Sequence, residues 1–215
     1  MFNRKRPFIR RGKARGLALN MRKLIYVPIV HTETDMGSVS ESLKEKYIEK
    51  YGQSKWLDHV NKIDSLWDCI EGELDALGLC YKNLKIYQDG LPNCGVEEKI
   101  VRDVAEKGSK NYKLLIKLLG KGAHLIGTED PKLLIEEYKI IQHALNQTKE
   151  KSKDIIDKYK EKAEKQLSER DKYISKRIDE TLKDNETGIL FIGIMHKVNE
   201  FLPKDIKVDF LNIAV

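Results

Sequence analysis

Four short stretches of the chain end apolar runs in side chains that can do chemistry. LIYVPIV runs into His31, Glu33 and Asp35; NLKIYQ reaches Asp89; GAHLIGT reaches Glu129; and GILFIGIM reaches His196. Two imidazoles and two carboxylates form a set that can hold a divalent metal, or supply a general base and the acid that orients it. If residues 31 to 35 are extended, alternation puts His31, Glu33 and Asp35 on one side. Competing structural readings exist for the acids. Asp89 precedes Gly90 and Glu129 precedes a helix start, so turn formation or the helix dipole accounts for either. His31 and His196 are harder to explain by packing, because each interrupts a strand-like apolar run. His59, His124 and His143 lack that context and read as structural.

These four residues span more than 160 positions, so only a fold that gathers strand ends could unite them. Lys23 to Val30 shows little alternation, which suits a strand covered on both faces of a parallel sheet. Pro28 removes one ladder donor and so predicts an irregularity or a nearby edge. Ser38 with Glu41 three residues on is a capping-box pattern that starts a helix near Val39. The spacing of Trp56, Val60, Ile63, Trp67, Ile70 and Leu74 then predicts a helix over 54–77, ended by Gly78. Leu84 to Tyr87 reads as a short strand, 96–106 and 110–119 as helices, and His124 to Ile126 as a third strand.

Asp130 and Pro131 carry the signature of an N-cap and first helical residue. From Pro131 to about residue 183 the pattern stays helical. A single helix of that length would run on the order of 75 Å, against roughly 45 Å for a compact chain of this size. The apolar-free stretch NQTKEKSKD, between Leu145 and Ile155, therefore predicts either a hairpin turn or a protruding solvated arm. Ile189 to Ile194 reads as the fourth strand, followed by a short helix to Leu202, and Ile206 to Leu211 reads as the fifth. The expected fold is α/β: a mostly parallel sheet of about five strands flanked by helices, with a long helix or helical hairpin inserted before the fourth strand. Ligands in such sheets sit beyond the carboxyl ends of the strands.

Charge and composition narrow the function classes. The formal charge is +6 over 215 residues, but residues 1–20 hold seven Lys and Arg and no acid, so the remainder carries −1. The expected organisation is thus a basic, disordered arm over 1–20 and one α/β domain over 21–215, with 131–183 as its helical excursion. Such an arm is the only nucleic-acid signal, and Met21 directly before the first strand is consistent with an upstream extension. No run approaches the roughly 20 apolar residues a bilayer needs, and no secretory pattern is present, which predicts a cytoplasmic protein without membrane contact. Cys69, Cys80 and Cys94 form no C-x-x-C pair and read as reduced thiols.

Gly193-x-x-His196 after an apolar strand, preceded by Glu169-Arg170-Asp171-x-Tyr173-Ile174 late in a long helix, resembles the C-terminal signature of the TraB, TIKI and erythromycin-esterase-like superfamily, which includes ChaN-like proteins. Pro28-Ile-Val-His31-Thr-Glu33 is similar to the N-terminal counterpart, with proline in place of the glycine of its first G-x-x-H. The resemblance implies a pocket between the two histidine motifs. TIKI-like members are metal-dependent peptidases, whereas esterase-like members use a histidine base without metal. It implies His31 and His196 as ligands or base, Glu33 and Glu129 as acidic companions, and Arg170 as an anion or transition-state partner.

Four readings follow. In the first, His31 and His196 with Glu129 or Asp89 hold Mn²⁺ or Zn²⁺ and polarise water against an ester, amide or phosphoester in a small molecule or peptide. In the second, a histidine oriented by Glu33 or Glu129 acts without metal. The third is a non-catalytic module binding a small ligand or anion through Arg170. The fourth is nucleic-acid binding through the arm.

Overall fold

The computed structural model describes residues 21–32, 35, 37, 40–146 and 153–213. The basic arm, Glu33, the capping residue Ser38 and the segment 147–152 lie outside the described residues. Five strands form one sheet: β1 (Arg22–Ile29), β2 (Leu84–Gln88), β3 (His124–Ile126), β4 (Thr187–Gly193) and β5 (Ile206–Phe210). Their order is β3-β2-β4-β1-β5 and every pairing is parallel. Among the described residues six α-helices accompany them: α1 (Ser40–Tyr51), α2 (Gln53–Ala76), α3 (Glu97–Glu106), α4 (Lys110–Gly120), α5 (Pro131–Asn146) and α6 (Lys153–Thr181). The segment expected as a helix after His196 is a single 3₁₀ turn, Val198–Glu200, because Pro203 follows too soon for more.

The continuous apolar runs of β1 and β4 have the predicted cause. Ile25, Val27, Ile29, Ile189 and Phe191 pack on one face against Ile63, Trp67 and Ile70 of α2 and Leu115 and Leu118 of α4. Leu24, Tyr26, Leu190 and Ile192 pack on the other against Ile174 and Ile178 of α6 and against Leu182. With both faces covered, neither parity of the strand meets water. Pro28 falls beyond the last β5 pairing, Tyr26 with Phe210, where β1 has a neighbour on one side only. A proline there costs no ladder bond to β5.

The helical excursion is a hairpin. Gln166 donates to the Leu133 carbonyl at 2.7 Å, and the His143 and Tyr159 rings lie 5.1 Å apart. Residue numbers rise on one helix as they fall on the other, so α5 and α6 run antiparallel and the length conflict disappears. Asp130 caps α5, its Oδ1 accepting from the Lys132 amide at 2.8 Å. No helix among the described residues is long and apolar enough to cross a membrane.

Candidate active site

β4 was inserted between β2 and β1 although it comes later in the chain, so the exits of β1, β2 and β4 lie side by side. His31 follows β1, Asp89 follows β2 and His196 follows β4, and the three meet. His31 Nε2 is 3.1 Å from Asp89 Oδ2, and His196 Nε2 is 3.6 Å from the same oxygen. Gly193, the last residue of β4, donates its amide to Asp89 Oδ2 at 2.9 Å. A Cβ on Gly193 would stand 3.0 Å from that oxygen, so only glycine lets the carboxylate approach the strand so closely.

Glu129, at the exit of β3, does not touch either histidine. It accepts from Arg170, Nε to Oε2 at 2.6 Å and Nη2 to Oε1 at 2.7 Å, and from the Gly90 amide at 2.7 Å. Arg170 Nη2 also donates to Asp89 Oδ1 at 2.8 Å, and Nη1 pairs with Glu137 of α5. The guanidinium, buried on α6, thus ties two strand exits to the hairpin. Bidentate pairing of this kind fixes orientation as well as charge.

The residue that orients His196 is Asp171. Its Oδ1 lies 2.5 Å from His196 Nδ1, and its Oδ2 accepts the Lys197 amide at 2.8 Å. A carboxylate is an acceptor only, so Asp171 puts the proton on Nδ1 and leaves Nε2 as the reactive nitrogen on the Asp89 side. Asp171 therefore does for His196 what Glu129 was expected to do, Asp89 stands between the histidines as expected, and Glu33 lies outside the described residues. The overlooked signal for Asp171 was periodic. Arg170 stands four residues before Ile174, and Asp171 three and four before Ile174 and Ser175, with Ile178 and Leu182 following, all buried, so Arg170 and Asp171 continue the sheet-facing stripe of α6 as charged residues. Asp35 serves the loop: it accepts from the Thr32 amide at 2.9 Å and from the Ser109 hydroxyl, the N-cap of α4, at 2.5 Å.

Burial and charge set the protonation states. Burial disfavours the imidazolium of His31 and of His196, but the hydrogen bond to Asp89 in the first case and to Asp171 in the second outweighs it, and both pKa values are raised. Burial likewise opposes ionisation of Asp89, yet His31, His196 and Arg170 together hold it well below the usual carboxylate range. For Glu129 burial wins, with the Asp89 charge adding to it, and the carboxyl is pushed up to about 7 against the two Arg170 bonds.

Two of the four residues expected to hold Mn²⁺ or Zn²⁺ are already engaged by other groups. Of the four expected ligands, Glu129 is turned wholly onto Arg170 and Gly90, and Asp89 already serves a cation and a backbone amide. A metal among them would stand against the fixed charge of Arg170. No group of three His, Cys, Asp or Glu among the described residues is arranged to hold a metal ion.

A cavity of about 420 Å³ opens over this network. His31, Asp35, Asp89, Glu137, Arg170 and His196 supply its polar lining, and Leu134, Tyr138, Ile141, Leu167, Ile194 and Met195 its apolar walls. No Ser, Thr or Cys is among the described residues that line it. His31 also borders a second cavity of about 390 Å³ toward Tyr47, Trp56 and His59, whose rings pack together. Comparison with protein-family models, with curated proteins and with solved structures finds no match to this chain, so what its site can do is argued from its own geometry.

Proposed function

We propose that the protein is a hydrolase in which His196 and His31 act as an acid–base pair around Asp89 and activate water, without a metal, against an ester or amide held in the cavity. The observation that carries this reading is the chain Asp171, His196, Asp89, His31, whose last three members line one cavity that has no Ser, Thr or Cys among its described lining residues. His196, with Nδ1 committed to Asp171, takes the proton from water through Nε2. His31, whose pKa is raised by Asp89, gives a proton to the leaving group. Both imidazoles face one carboxylate oxygen, so the pair gives up its protons in two coupled steps with a singly protonated state between them. That state holds one base and one acid together.

Two consequences are measurable. The pH dependence of kcat/KM for activated esters is bell-shaped, its acidic limb lying above the ordinary histidine value because the base must first lose its proton. Substituting His196 or His31 by alanine lowers kcat on the order of 10²–10⁴-fold, and EDTA changes nothing. The metal-dependent version is selected instead if chelation abolishes turnover and stoichiometric Mn²⁺ or Zn²⁺ disappears with the two histidines. A specific observation, the Arg170 corner facing the cavity, favours a second reading as an anion-binding module. Saturable ligand binding with no turnover of any ester or amide would establish it and end the hydrolase reading.

A further inference from the structure

The three carboxylates around Arg170 are unequal. Asp89 and Glu129 stand on the sheet side, 4% and 0% exposed, each held by a backbone amide as well as by the guanidinium. Glu137 comes from the hairpin, is 33% exposed, and takes the remaining nitrogen, Nη1. Among the described residues it is also the only charged one that α5 contributes to the cavity. Leu134, Glu137, Tyr138 and Ile141 recur at spacings of three and four, so an otherwise apolar helix face carries one carboxylate at the point where it reaches Arg170.

We infer that Arg170 Nη1 is the subsite for the carboxylate of a ligand with an apolar body, and that Glu137 is the internal carboxylate such a ligand displaces. The proposal rests on the hydrolase reading for what is done to the ligand, but its recognition chemistry stands separately. A carboxylate replacing a carboxylate leaves the charge around Arg170 unchanged and preserves planar pairing with the guanidinium. A phosphate dianion would add negative charge beside Asp89 and Glu129. Glu137, already part-exposed, regains hydration by turning outward, whereas removal of Asp89 or Glu129 would strand a backbone amide as well as the cation. The apolar walls from Leu134, Ile141, Leu167 and Met195 then cover the body of the ligand.

The test is calorimetric titration of the full chain with octanoate, 1-octanol and inorganic phosphate, comparing wild type, Glu137→Ala and Glu137→Gln. Glu137→Ala frees Nη1, and Glu137→Gln, which keeps the size of the side chain should the alanine variant fold poorly, replaces the competing carboxylate by a neutral amide oxygen that pairs more weakly with Nη1. Octanoate is expected to bind the variants at least tenfold more tightly than wild type, while 1-octanol gains nothing. Unchanged or weaker octanoate binding overturns the proposal. So does an equal gain for 1-octanol, which would make the effect apolar, or a larger gain for phosphate, which would assign the subsite to another anion. No turnover is required, so loss of the hydrolase reading would leave this result standing.

Discussion

Asp171 decides what His196 can do. As a carboxylate it accepts from both His196 Nδ1–H and the Lys197 amide. In Asp171→Asn one of those donors meets an NH₂ group; if the amide oxygen stays on Lys197, the imidazole must turn its lone pair to Nδ1 and carry its proton on Nε2, where no base then remains. The variant is expected to lose on the order of 10²–10⁴-fold in kcat with KM little changed, and its His196 to titrate at lower pH in ¹⁵N-detected NMR. An unaltered kcat would show that His196 is not the base. At this scale the sequence disclosed position better than partnership. His31, Asp89 and His196 stand at strand exits, and an apolar run ending in a polar residue is visible in one dimension. The period of α6 puts Asp171 on the sheet-facing stripe, but that it rather than Glu129 reaches an imidazole depends on which exits adjoin, and that is not encoded locally.

At the level of elements, the last residue of β4 holds the site together, because the Gly193 amide bonds Asp89 Oδ2 while its missing side chain leaves that oxygen room. In Gly193→Ala the new Cβ would press on Asp89 at 3.0 Å and lie 3.6 Å from the His196 ring, and Asp89 is fixed on its far side by Arg170. The expected result is a loss of about 1–3 kcal/mol in urea unfolding, from overpacking, and a disproportionate loss of activity as Asp89 shifts from His31. A stable variant with full activity would show that the network tolerates displacement. The parallel sheet, the α2 stripe and the α5 cap were all legible, since period and capping chemistry are local. The segment 131–183 was legible only as a choice between a long helix and a hairpin. The apolar gap marks where a turn could occur, whereas the pairing that enforces it, Gln166 with Leu133 and Arg170 with Glu137, joins residues 33 apart. Pro28 reads as a defect in the sequence and is harmless in the fold because β5 ends before it.

For the molecule as a whole, the buried network makes folding stability depend on pH in a direction that can be worked out. His31 and His196 have raised pKa values when folded, so their contribution is complete below the unfolded value of about 6.5 and is lost as pH rises through the folded values. Glu129, raised from 4.5 to about 7, acts in the same sense, since the fold favours its protonated form: the benefit is complete below about pH 4.5 and is lost as pH rises to about 7. Asp89 is depressed and acts oppositely: its contribution is present above the unfolded value of about 3.9 and drains away as pH falls toward the folded one. The His31–Asp89 pair is one interaction expressed through two titrations, lost by proton removal at one end and proton addition at the other, so it is counted once. Stability should therefore peak at about pH 4–4.5, decline between about pH 4.5 and 7 as Glu129 ionises, decline further above about pH 6.5 as the imidazoles lose their protons, and fall again below about pH 4. Urea midpoints measured from pH 3.5 to 9 check this. Replacing both histidines by glutamine should remove the decline above about pH 7 and leave the one between about pH 4.5 and 7 that Glu129 supplies. A wild-type stability that rises between pH 6.5 and 9 would mean that the imidazoles are not held as cations by Asp89 and Asp171, and with that the acid–base pair loses its proton.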